Sequence, residues 1–487
     1  MNRVALIFKL WCKGSAVLLI LGLTIIGSAF IAAAQSVGKN SGIPRTIART
    51  VTTTDSSGGA SGKLQTYQPG GATTTATNAF FLSLGSNGRT CFSCHRPQDG
   101  WTLSSADAAA RFKASKGKDP MFTLSDGATC PSDDVSTLAA KKQAYQLLLG
   151  QGLIRISLPM PPLSVLQFSI TSVNDPYNCT TDPIFGLASP TTGMVSVYRR
   201  PLPATNLKFD STLMWDGREP SLSSQATDAT LIHAQSMTPP DAREVEQMVA
   251  FENGIFTAQA KVRGADDLTS EGATGGPVAL STQAYFIGIN DPFGGNPMGT
   301  PFDPAIFNLF AAWLSSQGKG GSKTAQESIA RGEQIFNTQT FTIAGVAGLN
   351  DVVGQASITG TCGTCHDTPN LGNRSIQGTL NIGTSDLARV DPALPLPAFT
   401  IHCDAGPLAG QTFFTFDPGR ALITGQCEDI GKVKVPALRG LAARAPYFHN
   451  GSAADLQAVI NFYQRRFFTF SLSAQQQADL INFLASL

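Results

Sequence analysis

A chain of 487 residues is longer than one small hydrophobic core organises, so two domains are expected. Apolar residues make up 42%, as in ordinary water-soluble proteins, and 35 Lys and Arg stand against 34 acidic residues for a formal charge of +1. That balance lends no support to nucleic-acid binding or to polybasic membrane attachment.

Residues 1–34 carry three early cations, Arg3, Lys9 and Lys13, then an apolar run from Ala16 to Ile31, then Ala32, Ala33 and Ala34 before Gln35. This is the pattern of a signal peptide cleaved near Ala34, with export to the periplasm. If retained, the run is long enough for a single membrane anchor, and only then is a membrane an expected partner. Without the leader the formal charge falls from +1 to −2. Residues 35–77, with "TTTDSSGGASG" and "GGATTT", read as a flexible lead-in rich in Ser, Thr and Gly.

Order is expected to begin near Asn78, in a first domain over 78–314. Helices are predicted at 79–84, 106–112, 241–256 and 304–314, with a Pro-, Gly- and Asp-rich loop region from Pro120 to Pro203. "SSQGKGGSK", 315–323, has the composition of a linker. The second domain, 324–487, is predicted to hold helices at 324–336, 453–465 and 473–487. The expected fold is mainly α and loop-rich, with short β segments at most.

Two stretches carry chemistry: "CFSCHRPQDGW" from Cys91 and "CGTCH" from Cys362, in a chain with only five His. Two thiols spaced by two residues can add across the two vinyl groups of one haem, and the His that follows meets the iron from one face. Zinc would need two more ligands at matching spacing, and a thioredoxin-type pair needs neither the His nor a duplicate. Two covalently bound haem c groups in two c-type cytochrome domains follow, with His95 and His366 as proximal ligands. Of the other cysteines, Cys12 precedes the apolar run. Cys130, Cys179, Cys403 and Cys427 are spaced for disulfides 130–179 and 403–427, in keeping with export.

What each haem does depends on its far side, where a sixth protein ligand makes a carrier and an open position admits peroxide. No Met occurs after Met298. The second haem therefore has His402, His449, Tyr447, Tyr463 and a few lysines as candidates. Leu456, Val459, Ile460 and Tyr463 share one helix face, so Tyr463 also reads as a core aromatic.

The blocks "CFSCHRPQDGW", "MWDGREPSLSSQ", "CGTCH", "KVPALRGLAARAPYFHNGS" and "AVINFY" together resemble the bacterial di-haem cytochrome c peroxidase and MauG superfamily. The resemblance implies a peroxidatic N-terminal haem on Cys91, Cys94 and His95, and an electron-transfer haem on Cys362, Cys365 and His366. It places Tyr463 at the position of the family's axial Met, as in MauG. It makes Trp215 the bridge between haems, with Trp101 and Trp313 as alternatives, and a packed interface Trp as the plainer reading. Gln225 falls at a distal-pocket Gln. The family's catalytic Glu is here Gln235, whose amide cannot act as a base at neutral pH. His233 is the candidate replacement, although a lone His is more often structural. No His lies between His95 and His233, so the first haem is expected to be open without reductive activation. His449 is expected to support the second haem or its propionates. A calcium ion between the haems is implied, with Asn206, Arg444 and Pro446 as the counterparts of its ligands.

Three functions are compatible with these features. One is reduction of hydrogen peroxide with a small cytochrome or cupredoxin as electron donor. Another is MauG-like oxidation of a protein or organic substrate. The last is electron carriage without catalysis.

Overall fold

Side-chain caps open several of the helices. Ser104, Ser221, Asp241, Asp455 and Ser473 each accept a hydrogen bond from the backbone N–H three residues on. They open the helices Ser105–Ser115, Leu222–Ile232, Ala242–Gly254, Leu456–Arg466 and Ala474–Ala485. A computed structural model of the chain describes residues 42–54, 62–179, 187–189, 193–315, 321–390 and 394–487. The leader, the start of the lead-in and the centre of the linker lie outside them. Among the described residues no helix is long and apolar enough to cross a membrane.

The expected mainly α fold is corrected by the sheets. Helix accounts for 30% and strand for 18%, and the described strands form five small sheets of two to four strands. Their short, polar-faced runs hide the period-2 signal. Thr50–Thr54 pairs with Lys63–Tyr67, which pairs in turn with Phe256–Val262. In Lys63–Tyr67 the buried residues are Leu64 and Thr66, an alternation of only two inward positions inside the lead-in. Phe168–Asn174, in the Pro-rich loop region, pairs antiparallel with Ala398–Cys403.

The helix predicted over 304–314 is also absent, apart from a 3-10 turn at Ala311–Leu314. Side chains of the helix Gly321–Thr338 take its backbone donors instead. Glu333 accepts from the N–H groups of Leu309 and Phe310 at 2.6 Å each, and Asn337 from that of Phe307 at 3.2 Å. An outside acceptor removes the reason to wind the segment into a helix.

Residues 42–487 form one compact unit. Its largest core gathers around Trp313, Phe336 and Phe483, a second lies under the sheet of Phe168–Asn174 and Ala398–Cys403, and a third surrounds Phe80, Trp101 and Phe251. Both expected disulfides are present, Cys130–Cys179 and Cys403–Cys427, with Cα atoms 5.3 and 6.0 Å apart. All four cysteines belong to the second core.

Candidate functional site

The two Cys-x-x-Cys-His stretches fold alike because their sequences, "TCFSCH" and "TCGTCH", carry the same local instructions. Ser93 Oγ accepts from Thr90 N–H at 2.9 Å, and Thr364 Oγ1 from Thr361 N–H at 3.0 Å. Each opens one 3-10 turn, Cys91–Ser93 and Cys362–Thr364. The turn brings the His N–H onto the first Cys carbonyl at 3.0 Å in both. His95 then donates Nδ1–H to Trp101 O at 2.8 Å, and His366 donates to Gly372 O at 2.5 Å. That fixes each tautomer and leaves Nε2 as the nitrogen available to a metal.

Each turn lies in the wall of a large cavity, the first of about 1390 Å³ and the second of about 1310 Å³, including their open mouths. Cys91, Cys94 and His95 line the first, and Cys362, Cys365 and His366 the second. The four motif cysteines remain free thiols while the other four described cysteines are bridged. Burial pushes the Cys362 thiol up to about 12 and the Cys365 thiol up to about 11, and it raises Cys91 and Cys94 as well. Such neutral thiols are poor redox nucleophiles. Among the described residues no three His, Cys, Asp or Glu side chains group to hold a metal ion by themselves. The donor set of two free thiols and one oriented imidazole on a roomy cavity fits a covalently attached haem, and it does so twice.

Trp215 lies in the wall of both cavities, as does Lys434. Its indole N–H donates to Arg200 O at 2.7 Å and its ring meets His449 at 6.0 Å between centroids. Trp101 and Trp313 are fully buried in the third and first cores, and neither lines either cavity.

In the first cavity Gln225 and His233 face the same space. His233 does not stand alone. Its Nδ1 lies 2.6 Å from Asp126 Oδ2, and Asp126 Oδ1 is 2.5 Å from Arg89 Nη1. Burial would raise the Asp126 carboxyl, but the guanidinium of Arg89 and the bond to His233 outweigh it and hold Asp126 well below the usual carboxylate range. The structure does not bring Gln235 into this group. It is exposed, with φ 55°, and its backbone carbonyl serves Ser86. Past the helix end His233 keeps a right-handed conformation and lines the cavity, while Gln235, at φ 55°, is exposed.

In the second cavity Tyr463 comes from the helix Leu456–Arg466 together with Leu456, Val459 and Ile460. Burial, then the neighbouring thiols of Cys365 and Cys362, raise its phenol. Among the described residues its hydroxyl has no hydrogen-bond partner. His449 lines the same cavity, with Nε2 3.1 Å from Ser385 Oγ, and burial lowers its imidazole to about 4. Tyr447 donates its hydroxyl to Leu441 O at 3.0 Å. His402 sits on the strand Ala398–Cys403 beside Thr412, outside both cavities.

The three residues matched to a calcium site do not offer a free set of oxygens. Both ends of the Asn206 amide are bonded to the backbone of Thr257, each at 2.9 Å. Pro446 O already accepts from Arg200 Nη1, and Arg444 brings a positive charge. Arg89, Asp126, Arg200 and Lys434 were not singled out in the sequence. Asp126 lies 107 residues from His233, in the loop "LSDGATC", which carries no local signal.

No family model matches the chain. A stretch of 139 residues is 36% identical to the cytochrome-c peroxidase IdrP1 of Pseudomonas sp. (strain SCT), and 140 residues are 30% identical to the protein of that name from Denitromonas iodatirespirans. Each match covers 26% of this chain and 36% of the relative, so the chain spans about a third of the length of the curated relatives it matches. Among solved structures, a MauG-like protein associated with microbial copper homeostasis aligns over 59% of this chain and 73% of its own, at 17% identity and a TM-score of 0.32. Part of this chain is thus similar in sequence to cytochrome-c peroxidases.

Proposed function

We propose that the chain is an exported di-haem c-type peroxidase that reduces hydrogen peroxide at its N-terminal site. The observation that carries this is the pairing of two identically built Cys-x-x-Cys-His cavities with one indole, Trp215, in the wall of both. The partial similarity to two cytochrome-c peroxidases supports it. The two disulfides support export to an oxidising compartment.

Haem c bound through Cys91 and Cys94 with His95, and through Cys362 and Cys365 with His366, would supply the electron transfer that splits peroxide to water. The protein's own contribution begins at His233. Asp126 accepts the Nδ1–H of that ring, so Nε2 carries the lone pair that takes the peroxide proton and returns it to the departing oxygen. Arg89 keeps Asp126 ionised, which keeps the ring oriented. Gln225, beside it, can hold either oxygen of peroxide through its amide. Tyr463 lines the second cavity, where ligation by its phenol would close that site to peroxide. Trp215 offers the aromatic path between the two, and electrons come from a small cytochrome or cupredoxin.

The test is electron paramagnetic resonance of the ferric protein with its haem content measured alongside. One high-spin and one low-spin centre are expected, with the low-spin signal altered in Tyr463→Met. Two low-spin centres that ignore peroxide would reduce the protein to an electron carrier. Tyr463 also favours a second reading, a MauG-like oxidase of a protein or organic substrate. Fast turnover with a reduced cytochrome would decide against that.

A further inference from the structure

We propose that the guanidinium of Arg200 is a built-in cation at the junction of the two cavities, where it makes bound calcium superfluous and positions Trp215 between them. Arg200 follows directly on the strand Met194–Arg199 and is 5% exposed. Its Nη2 donates to Leu103 O at 2.6 Å and its Nη1 to Pro446 O. Leu103 lies in the turn after the first Cys-x-x-Cys-His, and Pro446 lies in the "APYFH" block that enters the second cavity. One planar cation thus ties two carbonyls from opposite ends of the chain, which is the work a divalent ion bound to backbone oxygens would do.

The backbone of the same residue holds the junction in a second way. Arg200 O accepts the Trp215 indole N–H at 2.7 Å, and Arg200 N–H donates to His449 O at 2.7 Å. Wherever the guanidinium is anchored, the carbonyl that orients Trp215 is anchored too. Burial lowers the guanidinium to about 10 and Asp99 counters that, so it stays charged at neutral pH. Arg444 adds a second buried cation nearby, with Nη1 on Ala437 O at 3.1 Å. A calcium ion here would face two positive charges, a carbonyl already taken and an Asn206 amide already spent. Six to eight oxygen ligands are not to be had on those terms.

The charge argument stands without haem, whereas the importance of Trp215 rests on the proposed function. The experiment therefore reads both. The purified holoprotein is dialysed against calcium chloride and assayed for bound calcium, and its melting temperature is compared in calcium and in chelator. No stoichiometric calcium and equal melting temperatures are expected. A tightly bound calcium, with melting lowered by chelator, would overturn the proposal whether or not haem is present. Arg200→Lys and Arg200→Met then test positioning. Lys keeps the charge but reaches fewer acceptors, so its melting temperature should fall between wild type and Met. The separation between the two haem midpoint potentials should change in Met and recover partly in Lys, with haem content unaltered. Unchanged melting and unchanged potentials in Arg200→Met would also overturn it.

Discussion

In the proposed function His233 is the base for peroxide, and its bond to Asp126 sets the first test. Replacement by Ala removes the Nε2 lone pair, and kcat/KM for peroxide should fall about 10²–10⁴-fold, the usual worth of a positioned general base. Asp126→Asn keeps the shape of the loop but loses the charge that orients the ring. A smaller loss is expected there, with the pH-rate profile displaced, and a profile identical to wild type would count against the pair. His449 tests the opposite property, neutrality. Its folded-state value is about 4 against an ordinary 6.5, so the unfolded chain takes up a proton that the folded one refuses below 6.5. Its contribution is fully present above pH 6.5 and is lost as pH falls toward 4, a loss of about 3 kcal/mol at one pKa unit per 1.36 kcal/mol. His449→Gln should flatten denaturant-unfolding stability across that window. The motif cysteines and histidines were legible because their geometry is local. Asp126 and Arg200 were not, because the partners that give them a role lie far off: His233 is 107 residues from Asp126, and Leu103 and Pro446 are 97 and 246 residues from Arg200.

At the scale of elements, the helices with a capping residue and an apolar face were readable, and Leu222–Ile232 shows the limit. It has a capping box at Ser221 and Ser224, yet its polar sequence "LSSQATDATLI" lacks the stripe that would announce it. It packs on Ala242–Gly254 and carries Gln225 to the cavity. The segment 304–314 fails in the other direction, apolar enough for a helix but held open by Glu333. Burial pushes that carboxyl up to about 7 despite the two backbone donors it accepts from. Glu333→Ala leaves the N–H groups of Leu309 and Phe310 buried without an acceptor, at about 1–3 kcal/mol each. Thermal unfolding should show a loss of that order, and Glu333→Gln, which keeps one carbonyl oxygen, should lose less. Equal losses would mean the carboxyl serves only to fill space.

At the scale of the molecule, the two Cys-x-x-Cys-His stretches are separated in sequence but share their supports. Phe168–Asn174 lies in the first half of the chain, yet its partner strand is Ala398–Cys403. Arg199 is 2% exposed on its side chain and bonds Asp417 through Nε at 2.6 Å and Nη2 at 2.9 Å, and Asp216 through Nη1 at 2.5 Å. Even the last residue is tied back, with Gln259 N–H on Leu487 O at 3.1 Å. None of these pairings follows from composition or period, since each joins segments whose own patterns are satisfied locally. The fragment 324–487 alone would leave Asp417, which lies beside His449 in the whole protein, without its guanidinium, and breaking a buried pair from one side costs about 3–5 kcal/mol. That is a large share of the roughly 5–15 kcal/mol by which a domain is stable. The fragment 324–487 expressed alone should therefore lack a cooperative thermal transition even when its haem is attached, and mixing it with residues 35–323 should restore one. A sharp transition in the isolated fragment, at the temperature of the whole protein, would show instead that the shared sheet and ion pairs are incidental to its folding.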